Sequence, residues 1–179
     1  MTANNRIFWL VVAATLGDYL VMVLWSIPRI SAEAGGLPVF DLRPGGYTHE
    51  EARAFLAALS AEGTHFYANV QHRLDAAYPA LLAVTLAWSI LRLAPARWGV
   101  WRHLLAATAI PGMVFDYLEN RDVARMLALG PDGIAPDLVR TASFHSQAKA
   151  ATSSVAMTIL LVLLALWAFR RWRAPHKKV

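Results

Sequence analysis

The chain has 179 residues, 57% of them hydrophobic and 16% charged, with a mean hydropathy of +0.40. That composition excludes an ordinary soluble domain and fits a small multi-pass membrane protein. The absence of cysteine excludes disulfides, thiolate metal sites and cysteine nucleophiles, while a net charge of +5 raises the question of nucleic acid, which the placement of the charges answers below.

The first apolar run, Ile7 to Ile27, carries one charge, Asp18. At about 1.5 Å per residue it is long enough to span a hydrocarbon core. Ala32-Glu33-Ala34 resembles a signal-peptide cleavage site, but the run is too long and has an aspartate at its centre, so an uncleaved helix is expected. Pro28 is expected to end it, and a turn-rich loop follows through Gly35-Gly36 and Arg43-Pro44-Gly45-Gly46. Thr48-His49-Glu50-Glu51 reads as a capping box. Ala52, Phe55, Leu56 and Leu59 then make one apolar stripe on a short amphipathic helix, with Gly63 as its stop. Such a helix lies on the membrane or caps the bundle; its pattern suits both.

Thr64 is expected to cap the second long helix, in which His65, Asn69 and His72 share a face. Asp75 precedes an uncharged run, Ala76 to Leu91, that Arg92 lengthens by snorkelling and Pro79 kinks near its entry. A third span, about Trp101 to Leu118, is the least apolar: Arg102, His103, Pro111-Gly112 and Asp116 lie in it. Impurity of that kind predicts surroundings of protein rather than lipid. Its pattern continues to Gly130. The fourth helix starts at Pro136 or Asp137 and runs to about Trp172 around an uncharged core, Ala150 to Phe169. The expectation is an all-α, four-helix transmembrane bundle forming one integral membrane domain over 1–179. Its spans are about 7–27, 76–93, 101–118 and 150–169, helices two to four extend on the outer side, and 28–75 and 119–149 are extracytoplasmic.

Four spans put both termini on one side. Arg6, then Arg92, Arg97 and Arg102, then Arg170, Arg171, Arg173, Lys177 and Lys178 lie there, nine of the 17 Lys and Arg, with no Asp or Glu among them. The positive-inside rule therefore places both termini in the cytoplasm. Basic charge here reflects orientation and attraction to anionic lipid, so nucleic acid is not an expected partner.

With that orientation Asp75 opens the second span, Asp116 closes the third and Lys149 opens the fourth, all near the outer boundary. His72, Glu119, Asn120, His145 and Gln147 lie within about two helical turns of them. Three readings of this polar layer stand. It locks helix register through couples such as Asp116 with Lys149 and Arg73 with Glu119. Or it binds a lipid headgroup or small apolar molecule, with apolar tails between the helices below. Or His65, His72, His145, Asp116 and Glu119 hold a metal ion, whose bound water hydrolyses a lipid-like ester or amide; no H-E-x-x-H motif is present. Asp18, mid-span, is expected to be protonated and hydrogen-bonded to a carbonyl or to a hydroxyl such as Thr85, Thr108 or Thr158. Ser143, Ser146, Ser153 and Ser154 read as small residues for close helix approach rather than nucleophiles.

Phe40-Asp41-Leu42-Arg43-Pro44-Gly45-Gly46-Tyr47, then Asp75-Ala76-Ala77-Tyr78-Pro79, Asp116-Tyr117-Leu118-Glu119-Asn120 and Lys149 occur in that order. This resembles an uncharacterised family of bacterial four-span membrane proteins carrying a D-Y-L-E-N motif. The resemblance covers roughly Phe40 to Lys149. It implies a unit fold and groups Asp75, Asp116, Glu119, Asn120 and Lys149 as a set; it implies no activity. The expected function is binding of a lipid or apolar small molecule at the outer leaflet, or service as an accessory subunit. The expected partners are membrane lipid and either another membrane subunit or a second copy. A His/carboxylate metal-dependent hydrolase is the alternative.

Overall fold

A computed structural model describes residues 2–173, and they are all-helical in their regular structure. Lys177 and Lys178, counted in the charge argument, lie outside the described residues. The elements are α1 (Ala3–Glu33), α2 (His49–Ala58), α3 (Ala61–Leu93), α4 (Val100–Ala107), α5 (Ala109–Gly133) and α6 (Pro136–Arg173). Three of them, α1, α3 and α6, are long and apolar enough to cross a membrane.

Several helix ends differ from expectation, each for a local reason. Pro28 does not end α1. A π-helical turn, Met22–Ser26, ends two residues before it and breaks the regular hydrogen-bond ladder that a proline ring and missing N–H would disrupt. Gly63 does not stop α2, nor does Thr64 start α3. The Ser60 hydroxyl accepts from the Gly63 N–H at 2.9 Å and so caps α3 from Ala61. Gly63 instead lets α1 pass close by: a Cβ there would lie 2.6 Å from that of Glu33. The third stretch is two helices, α4 and α5, broken at Thr108. Pro111, third in α5, cannot donate back into the preceding turn. Nor is this stretch enclosed by protein, since Trp101, Leu104, Ile110, Val114 and Tyr117 are exposed. The capping box at Thr48 and Glu51 forms, and α5 breaks at Gly130, as the sequence predicts.

The molecule has a thick end and a thin end. The thick end holds the largest core, in which Ile30, Val39, Phe40, Ala52, Phe55, Met126 and Ala142 are fully buried. Here α2 caps the bundle, turning Ala52, Phe55 and Leu56 inward. Phe40 packs edge-on against Phe55 with ring centroids 4.8 Å apart. The thin end has two small clusters, Ala83, Leu86, Ala109 and Ala156, then Ile90, Ala94, Ala106 and Leu163. Around them Leu10, Leu16, Leu104, Val155, Leu161 and other large apolar side chains face outward. Small residues in that inner layer permit close helix approach; a Cβ on Gly112 of α5 would lie 2.5 Å from Ser153 Oγ of α6.

Candidate functional site

The polar residues meet where the thick end joins the thin end. Asp116 and Glu119, three residues apart on α5, face α6 together. Lys149 of α6 lies between them: its Nζ is 3.3 Å from Asp116 Oδ1 and forms a closer ion pair with Glu119 Oε2. One turn earlier on α6, the Ser146 hydroxyl donates to Glu119 Oε1 at 2.5 Å. Burial pushes the Glu119 carboxyl up to about 7, with the Lys149 ammonium and the Ser146 hydrogen bond limiting the rise and Asp41 adding to it.

Two further carboxyls face this group. Asp75 of α3 is buried, and its backbone carbonyl accepts from Asn120 Nδ2 at 2.9 Å. Its carboxyl lies within hydrogen-bonding reach of that of Asp41, and burial, with the charges of Asp41 and Asp116, holds it well above the ordinary carboxylate range. Asp41 comes from the loop between α1 and α2 and is fixed at three points. Phe40 is buried in the core beside it, the Tyr47 N–H donates to Ser143 Oγ at 2.8 Å, and the Tyr67 hydroxyl donates to Asp41 Oδ2.

Asp41, Asp75, Asp116 and Lys149 line one end of a cavity of about 290 Å³, whose remaining wall includes Tyr19, Val23, Ile27, Leu82 and Met157. Two π-helical turns shape it, Met22–Ser26 in α1 and Tyr67–Gln71 in α3. They are joined where the Ser26 hydroxyl donates to Gln71 Oε1 at 2.5 Å and Gln71 Nε2 reaches Met22 Sδ at 3.4 Å. Such turns carry one extra residue and frequently occur at functional sites.

The sequence-predicted set divides. Asp75, Asp116, Glu119, Asn120 and Lys149 come together, and His72, His65 and His145 do not join them. His145 Nδ1 is 2.9 Å from Asp122 Oδ2, and Asp122 also accepts from Arg121. His72 borders a separate groove with Tyr117, Asn120 and Arg121, and His65 is exposed. The alternative reading of His65, His72, His145, Asp116 and Glu119 as a metal site is therefore corrected: among the described residues no group of His, Asp and Glu is placed to hold one. The Lys149 ammonium already occupies the position between Asp116 and Glu119 that a metal would need. Arg73 does not pair with Glu119 either; it is exposed, and Lys149 takes that partner.

Asp18 has an enclosed Oδ2 without a hydrogen-bond partner among the described residues. The Thr85 hydroxyl expected near it bonds instead with that of Thr15, at 2.8 Å. Asp41, Tyr67, Gln71, Ser146 and Asp122 were not in the sequence-predicted site. Asp41 had a signal in the Phe40-to-Tyr47 motif, and Asp122 in its position on the apolar-facing side of α5 beside Val123 and Met126.

Comparison with known proteins finds no matching family model, no matching curated protein and no matching solved structure.

Proposed function

We propose that the protein is a four-span bacterial inner-membrane protein that holds an amphiphilic small molecule or lipid at the outer leaflet. Both termini lie in the cytoplasm and the thick end faces outward. The ligand's polar head sits among Asp41, Asp75, Asp116 and Lys149, and its apolar part lies against Val23, Ile27, Leu82 and Met157. The observation that carries this reading is the cavity's composition: one charged end and one apolar wall, in a single space of about 290 Å³. Sites for small ligands are concave, mostly apolar and furnished with a few convergent polar groups.

The third span is α4 with α5 as far as Leu118, which packs between α3 and α6 with its outward face apolar. The side is supported by the nine Lys and Arg on the terminal side. Lys149 serves a second purpose, tying α5 to α6 through Asp116 and Glu119. That lock accounts for three of the polar residues and leaves Asp75 and the cavity unexplained, which is why ligand binding is the better reading.

Extraction of the protein into native lipid discs, followed by mass spectrometry of the intact particle, tests this. The wild-type chain carries a bound amphiphile of defined mass, and Ala150→Trp, which fills the cavity from α6, does not. A wild-type chain free of adducts, or identical adducts on the variant, contradicts it.

A further inference from the structure

The charge around the cavity identifies the chemistry of the head. Four carboxyls, Asp41, Asp75, Asp116 and Glu119, surround one ammonium, Lys149. That ammonium is committed to Asp116 and Glu119. Asp41 accepts a hydrogen bond from the Tyr67 hydroxyl, a neutral donor. Asp75 is more than nine-tenths buried and lines the cavity, and the side chain within hydrogen-bonding reach of its carboxyl is a second carboxyl, that of Asp41. Two buried carboxyls so close share a proton unless a cation joins them, and an arriving ammonium lets both ionise.

Resting on the amphiphile reading, we infer that the ligand's head is a primary ammonium group, received by Asp75 and Asp41 at the cavity's polar end. An ammonium has three N–H donors and no acceptor, which suits a position bordered by acceptor oxygens of Asp75, Asp41 and Asp116. Charge-assisted bonds of this type are among the stronger contacts available to a ligand. An anionic head would meet like charge there, and a hydroxyl would leave at least one carboxylate without compensation. The apolar wall accounts for an alkyl or acyl portion on the same molecule, so a free polyamine fits the polar end but not the whole space. A long-chain amine and an ethanolamine phospholipid headgroup share the required chemistry.

The full chain in maltoside detergent, near neutral pH, is titrated with dodecylamine, dodecanol and dodecyl phosphate. Uptake is read by native mass spectrometry and by the shift in unfolding temperature. Dodecylamine is expected to bind roughly tenfold tighter than either of the others, the ratio given by one desolvated charge-assisted contact. Asp75→Asn and, separately, Asp41→Asn are expected to abolish most of that preference. The wild-type series decides by itself if a variant fails to fold. Equal binding of dodecanol or dodecyl phosphate overturns the ammonium assignment and leaves the amphiphile reading standing. Uptake of none of the three overturns both. In a further arm, discs of ethanolamine phospholipid are compared with discs of glycerol phospholipid. Retention of the former alone supports the headgroup as the source of the amine, and retention of neither, with dodecylamine bound, supports a free long-chain amine.

Discussion

Lys149 of α6 and Glu119 of α5 form an ion pair with both side chains withdrawn from solvent, 19% and 1% exposed. A pair so placed acts mainly through what its loss leaves behind. Lys149→Met strands Glu119 and Asp116 beside Asp41 and Asp75, and removal of one partner from a buried pair costs about 3–5 kcal/mol. Unfolding in detergent is expected to show that loss. Glu119→Gln added to Lys149→Met is expected to restore part of it, since it removes one uncompensated charge.

Glu119 also makes stability depend on pH. Its carboxyl is raised from an ordinary 4.5 to about 7 by burial. Between those values the folded chain keeps a proton that the unfolded chain has released, so stability falls as pH rises across that window. The unfolding temperature is expected to decline from pH 4.5 towards 7, and Glu119→Gln to flatten the decline. A midpoint that rises with pH over the same range in the wild type, and is unaffected by the substitution, contradicts the burial of this group.

Gly112 and Ser153 mark the closest approach of α5 and α6. Gly112→Ala drives a Cβ against the Ser153 hydroxyl, and overpacking of this type costs about 1–3 kcal/mol. Ser153→Ala removes the obstructing oxygen, so the double variant is expected to regain most of the loss. A double-mutant cycle on unfolding free energies measures the coupling; additive effects would place the two helices further apart.

The absence of cysteine makes the proposed orientation directly accessible to chemistry. Glu50→Cys and Asp132→Cys lie at exposed positions of the thick end, and Arg97→Cys in the short connection between α3 and α4. In cells with a permeable outer membrane and an intact inner one, a membrane-impermeant maleimide is expected to label the first two at once. The third reacts only after the inner membrane is opened.

The sequence made one half of the site legible and hid the other for physical reasons. Asp116, Glu119 and Lys149 stand at the ends of apolar runs, where charge is expensive, and simple helical spacing puts them together. Asp41 reaches the site through an irregular loop whose path depends on burial of Phe40 and on the Tyr47–Ser143 hydrogen bond, neither of which has a period. Gln71 and Met22 sit in π-helical turns, where the extra residue shifts every later side chain off the 3.6-residue count. The same turn carries α1 through Pro28, which reads as a stop if the helix is assumed regular. The histidines misled because shared composition is not shared position: His145 turns to Asp122, and His72 borders a different groove.

Photoaffinity labelling tests binding in the cavity most directly. A long-chain amine carrying a diazirine midway along its chain is incorporated into membranes holding the wild-type protein, and the labelled residues are located by mass spectrometry. The expected labels fall on Val23, Ile27, Leu82 and Met157, and excess dodecylamine suppresses them. Labels spread instead over Leu10, Leu24, Leu104 and Leu161 on the outward faces, and insensitive to competitor, would contradict a bound ligand.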